Sequence, residues 1–200
     1  MRNSIRVQVL LVGACLLTCM TAAGQQSTGS EKHDTSSINA AVVFNPLIAN
    51  VVGDADNGFW MQGGSIQVHA RFWRGLGIVG DVAGMHTAST SGSNVGLDMV
   101  TTTFGPRYTW APARGHYSIF GQALAGEAYG LNSVFPSASG AKDSANSLAV
   151  YLGGGVNLHL RGHIGLRLLE ADWLRTEMPN STTNVQNNLR VGAGIVFWLR

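Results

Sequence analysis

From about residue 38 to the end, apolar residues alternate with polar or small ones in segment after segment. A period of two is the repeat of a β-strand with two unlike faces. The clearest segment is Leu148 to Leu160. Leu148, Val150, Leu152, Val156, Leu158 and Leu160 share one face, and Ala149, Tyr151, Gly153, Gly155, Asn157 and His159 share the other. In the last segment, Arg190 to Arg200, Val191, Ala193, Ile195, Phe197 and Leu199 form a wholly apolar face. The opposite face begins with Arg190 and carries Gly192 and Gly194. Lipid on one side and a crowded interior on the other require this pattern. Five further segments follow it: Ile38 to Phe44 (weakly), Ser65 to Trp73, Leu76 to Met85, Met99 to Ala111, and Tyr117 to Gly130, whose phase is ambiguous because small residues occupy both faces. The remaining segment, Ile164 to Arg175, changes phase midway. A one-residue bulge near Leu168-Leu169 restores it and turns Arg167, Glu170 and Asp172 inward. The pattern predicts eight strands.

The connections alternate between short and long. Short turns lie at Arg74-Gly75, Pro112–Gly115 and Arg161–His163. Long polar connections cover Asn45–Gly64, Thr87–Asp98, Leu131–Asn146 and Glu177–Gln186. Turns on one side and four loops on the other predict an up-and-down barrel that crosses a membrane. Trp73, Trp110, Tyr117 and Trp198 fall at strand ends on the turn side, where an interfacial girdle belongs, although parity turns some of them inward. Pro106 sits inside the fourth strand and must cost a ladder bond, with a bulge expected there.

Residues 1–24 read as a secretory signal: Arg2 and Arg6, an apolar core from Val7 to Met20, then the small residues Thr21–Gly24, with cleavage expected near Ala23 or Gly24. A transmembrane anchor needs about 20 apolar residues, more than this run has. A lipoprotein cleavage before Cys15 would leave a very short core. Both cysteines, Cys15 and Cys19, lie in this signal, so the barrel is expected to hold no disulfide or cysteine metal site. Removing Arg2 and Arg6 lowers the formal charge from +2 to zero, which gives no reason to expect a nucleic-acid partner. Residues 25–37 are polar and aperiodic, a flexible periplasmic segment by expectation. Residues 38–200 form one domain.

Four places in the last segment carry a further signal. Arg190, Gly192, Ile195 and Phe197 fit the order polar, any, glycine, any, any, apolar, any, apolar. This resembles the assembly signal of bacterial outer-membrane barrels, without its usual terminal aromatic, since Trp198, Leu199 and Arg200 follow. With the alternating strands and the segments Gly105–Arg107 and Leu152–Gly155, the chain resembles the small OmpA/OmpX-like class. The resemblance implies an all-β fold, an eight-stranded antiparallel up-and-down transmembrane β-barrel in the outer membrane of a Gram-negative bacterium. It also implies contact with outer-membrane lipid and lipopolysaccharide, passage through the barrel assembly machinery, and a monomeric state. Such a fold hosts many activities and does not set one.

Eight charged residues are expected to face inward: Arg71, Asp81, Arg107, Glu127, Arg167, Glu170, Asp172 and Arg190, with His69 and His159. Eight strands enclose a space just wide enough for side chains, so these charges should pair in a structural network. Asp81 and Glu127 are the first candidate partners for Arg107, because their strands flank its own. A narrow ion path is the alternative reading. Gly153–Gly155 is a phosphate-loop lookalike without the following Lys-Ser/Thr, and a large side chain from across the lumen should fill its space. His116, Ser118 and Glu127 resemble the His-x-Ser and Glu of lipid A deacylases. His116 abuts a turn and Glu127 lies near the other strand end, which separates them. Asn180–Thr182 is read as loop, and His33, His86 and His163 lack metal-ligand spacing. No cofactor, metal or catalytic residue is expected. The preferred role is structural or surface-interacting through the long loops, ahead of a small-solute channel and a lipid A-modifying enzyme.

Overall fold

The computed structural model describes residues 37–50, 58–90, 94–112, 116–180 and 184–199. The expected signal, nearly all of segment 25–37, the end of the Pro112–Gly115 turn, most of the Asn180–Thr182 sequon and Arg200 lie outside the described residues. The strands are β1 (Ser37–Phe44), β2 (Leu47–Ala49), β3 (Phe59–Trp73), β4 (Leu76–Thr87), β5 (Leu97–Trp110), β6 (Tyr117–Ser137), β7 (Gly140–His159), β8 (Ile164–Thr176) and β9 (Gln186–Leu199). β1 and β2 are one barrel strand interrupted at Asn45-Pro46, since both pair with β3 on one side and β9 on the other. Proline has no N–H to give the ladder. The gap is held instead by Asn45 N–H to Gly63 O at 2.9 Å and Val191 N–H to Pro46 O at 3.1 Å. Counted this way, eight antiparallel strands close on themselves, with Ile38 opposite Leu199. Closure gives every barrel strand a neighbour on both sides, the condition for crossing lipid with strands.

Residues of one parity are buried and those of the other exposed along most of each strand. Val42, Ile66, Ile78, Phe104, Leu152 and Ile195 are among the many large apolar side chains on the outer wall. Such a surface on a closed barrel is a lipid-facing belt. Trp73, Trp110 and Tyr117 are exposed at the turn side, with the Trp110 and Tyr117 rings 6.3 Å apart. Trp198 instead points inward and stacks on His159 at 4.1 Å. The Arg74-Gly75 turn has positive φ at both residues, 39° and 92°. A Cβ on Gly75 would fall 2.4 Å from Thr109 O, so glycine is required there.

The bulge in β8 lies where the pattern put it. Asn157 pairs with Arg167 and Val156 with Leu169, so Leu168 is the extra residue. Leu168 and Leu169 are both exposed, and Arg167, Glu170 and Asp172 are buried. Pro106 is a correction. Phe104 pairs with Ala125 and Arg107 with Gln122, the same register, so the strand passes Pro106 with a gap in pairing and no bulge. The loops are a second correction. β6 and β7 run to 21 and 20 residues and meet at the two-residue turn Ala138-Ser139, so the expected long loop at 131–146 is a protruding hairpin. β2 and the start of β3 take up part of the expected first loop as well.

Candidate functional site

The lumen has three layers. Nearest the loops lies an apolar layer, including Leu47, Met61, Met85, Met99, Leu124 and Leu174. Above it opens a cavity of about 490 Å³, lined by Phe59, Met61, Met99, Phe135 and Met178 among others, with the polar Asn50, Gln186 and Asn188 and no charged residue among the described ones in its wall. At the turn side lies a smaller cavity of about 150 Å³. An ionic layer fills the space between them.

That layer gathers Asp81, Arg107, Arg167, Glu170, Asp172 and Arg190 in one bonded group, each almost fully buried. Arg190 reaches Asp172 at 2.8 Å, Asp81 at 3.2 Å and Glu170 at 3.3 Å. Arg167 donates to Glu170 at 2.7 Å and to Asn157 at 3.0 Å. Two glutamines stitch the charges together. Gln67 Nε2 donates to Asp81 at 2.8 Å and Glu170 at 2.7 Å, while its Oε1 accepts from Arg107 at 2.6 Å and Arg167 at 2.5 Å. Gln122 donates to Glu170 at 3.0 Å and Asp172 at 2.9 Å and accepts from Arg107. Buried charge is tolerable when most of its donors and acceptors are met in this way; in this layer Arg167 Nη2 is left without a hydrogen bond.

Aromatic rings complete the packing. The Arg107 and Arg167 guanidiniums lie 4.2 and 4.6 Å from the Phe120 ring centre, and Arg190 lies 4.4 Å from that of Tyr151. The Tyr151 hydroxyl is bonded to Thr101 at 2.9 Å. The glycine run makes room for the layer. A Cβ on Gly155 would meet the Phe120 ring at 2.8 Å, and one on Gly153 would meet Asp172 Oδ1 at 2.3 Å. The groups filling this space come from the neighbouring strands β6 and β8, not from across the lumen as expected.

Three expectations about charged residues are corrected. Glu127 is exposed on the outer wall, where it accepts a hydrogen bond from Tyr129, because β6 turns Gln122 and Leu124 inward. Arg107 is held by Gln67 and Gln122 and pairs with neither Asp81 nor Glu127. Arg71 lines the turn-side cavity, outside the ionic layer. The layer also depends on residues that charge alone did not select. Gln67, Tyr151 and Asn157 had the right parity, and Gln122 and Phe120 lay in the strand of ambiguous phase. The residues of the deacylase likeness do not meet: Ser118 is buried in the turn-side lumen, whereas Glu127 is outside. In the terminal strand Arg190 and Gly192 face inward, and Ile195 and Phe197 face out.

No protein-family model matches the sequence, and no curated protein does. Solved structures do. Neisserial surface protein A superposes with a TM-score of 0.63 at 11% identity, covering 82% of this chain and 99% of that one. The Yersinia pestis attachment invasion locus protein Ail, crystallised with the heparin analogue sucrose octasulfate, matches at 0.45 and 17% identity over 81% and 97% of the two chains. The N-terminal barrel domain of Pseudomonas aeruginosa OprF matches at 0.46 and 10% over 82% and 100%. The last two scores are too low to carry an argument. The first, with the closed register and the lipid-facing belt, shows the fold: this chain is an eight-stranded outer-membrane-type β-barrel, similar to the OmpA/OmpX-like class.

Proposed function

We propose that the protein is a non-enzymatic barrel with a structural or surface-interaction role, presenting its loop side to the outside. One observation carries this reading: the ionic layer fills the lumen between the two cavities with three arginines, three carboxylates and two glutamines bonded to one another. A solute path would have to break that layer, and breaking one partner from a buried pair costs about 3–5 kcal/mol. What is left for recognition is the loop side, where the β6–β7 hairpin extends past the paired ends of β5 and β8 beside the cavity of about 490 Å³, whose described lining carries no charge. Cavities of about 300–1,000 Å³ suit small ligands or an inserted side chain. Short turns belong to the periplasmic side of such barrels. In this reading lipopolysaccharide surrounds the loop end, Arg190, Gly192, Ile195 and Phe197 serve the assembly machinery, and the protein works as a monomer.

Planar-bilayer recording tests the reading. The purified protein should give no single-channel steps above background, and steady steps would replace it with a narrow channel. Lipid A composition should be unchanged by expression of the protein. Trimming the 131–146 hairpin should remove binding to the cell-surface partner and leave the barrel folded.

A further inference from the structure

Among the described residues the charges inside the wall do not balance. Arg71, Arg107, Arg167 and Arg190 face the lumen, against Asp81, Glu170 and Asp172. Glu127, the acid that would have evened the tally, is on the outer wall. The three carboxylates gather around Arg190 and Arg167. The hydrogen-bond partners of Arg107 are amides, and neither it nor Arg71 has a carboxylate hydrogen-bond partner among the described residues.

Both of these arginines line the turn-side cavity of about 150 Å³, and no acidic residue among the described ones contributes to its wall. Other polar groups there lack partners. Arg71 Nε, His69 Nε2 and His159 Nδ1 are all buried without a hydrogen bond. The His69 ring is 2% exposed, and Asn39 Nδ2 lies 3.1 Å from its Nδ1. With the amide donating to Nδ1, the neutral ring carries its proton on Nε2, which becomes an unused donor. The Ser118 hydroxyl adds another group that can donate. A buried polar wall in this condition requires water or a ligand to complete it.

We propose that this turn-side vestibule is a binding site for a phosphate-sized oxyanion, held between Arg71 and Arg107 with His69 as a further donor. Guanidinium groups suit oxyanions because their planar donors match pairs of oxygens. The size agrees, since about 150 Å³ is the share of roughly five waters at ~30 Å³ each. A free inorganic ion fits, as does the terminal group of a longer molecule entering from the turn side. The site differs from the loop-side cavity in both position and charge.

The test uses the folded full barrel in lipid nanodiscs, with nitrogen-15 in its arginines, titrated with inorganic phosphate at constant ionic strength against chloride. The Nε–H signals of Arg71 and Arg107 should shift saturably, and that of Arg190, enclosed by carboxylates, should stay. Arg71→Gln keeps a polar side chain, though a shorter one, and removes the charge without touching an ion pair of the central layer. It should weaken binding about tenfold, as loss of a charge-assisted contact does, and Arg71→Lys should restore part of the loss. Heat-modifiable gel mobility confirms that each variant is folded. Methyl phosphate separates the two sources: binding equal to that of phosphate indicates a terminal group, and loss of binding indicates the free ion. A linear shift that chloride reproduces, or unchanged affinity in folded Arg71→Gln, overturns the proposal.

Discussion

The ionic layer and the apolar layer beneath the loops occupy the same lumen, enclosed by the same eight strands, and they tolerate change in different ways. In the ionic layer each group answers several others, as Arg190 does with three carboxylates and a tyrosine ring. In the apolar layer contact is non-directional, and methionines line a cavity that is already open. The first should be stiff toward both volume and chemistry. The second should accept changes of shape that keep it apolar.

The largest difference should come from adding volume. Gly192 lies one step from the ionic layer, and a Cβ there would already meet Val43 at 2.8 Å and Asn45 at 3.0 Å. Gly192→Trp should abolish assembly, leaving no protein in outer-membrane fractions. The same residue at Ala141, which lines the open cavity, should assemble at close to normal levels. Equal loss of both variants would erase the contrast.

Removing a charge should come next. Arg190→Ala leaves Asp81, Glu170 and Asp172 facing one another, with a cost of about 3–5 kcal/mol in urea unfolding from vesicles. Arg190→Met together with Asp172→Asn should cost clearly less, because two arginines then remain against two carboxylates and no net charge is stranded. If the double variant is the weaker one, the pairs stabilise the barrel outright and are not merely self-cancelling.

A like-for-like replacement on one strand is sharper still. Gln122 and Leu124 are two residues apart on β6, both inward, one in each layer. Leu124→Met should cost less than about 1.5 kcal/mol. Gln122→Met is close in size, yet it takes an amide from Arg107, Glu170 and Asp172 together. Leaving even one buried polar group unmet costs about 1–3 kcal/mol. Similar unfolding midpoints for the two variants would mean that water replaces the amide.

These layers also explain what could be read from the sequence. Where the interior is ionic, inward positions are polar and outward ones apolar, so β3, β7, β8 and β9 declare their faces. The β8 bulge was legible because two acids would otherwise sit in lipid. Beneath the loops the interior is itself apolar, so hydrophobicity no longer distinguishes in from out. β6 crosses from one layer to the other: Phe120 and Leu124 are apolar and inward, while Ala123 and Ala125 are small and outward. The loop-side strand ends were missed for the converse reason, since the 131–146 hairpin has polar residues on both faces. One signal did exist for β6. Gln122 and Glu127 have opposite parity, so one of them must face outward. The cost of polarity on the outer face falls toward the membrane interface, and Glu127 is the nearer of the two to the loop end.

That choice of phase gives the smallest predicted effect. Glu127 and Glu170 are both glutamates on barrel strands, and charge counting alone would treat them alike. Glu170 is 1% exposed and bonded to Gln67, Gln122, Arg167 and Arg190. Glu127 is exposed beside Tyr129. Its neighbour across β7 is Leu148, itself 52% exposed, and residues directly opposite in an antiparallel pair share a face. Glu127→Gln should therefore change stability by less than about 0.5 kcal/mol, the range of surface substitutions. Glu170→Gln should cost several times more, since two arginines lose their shared carboxylate. If Glu127→Gln proved the costlier, β6 would lie in the opposite phase, with Gln122 turned to lipid and the ionic layer without the amide that joins Arg107 to it.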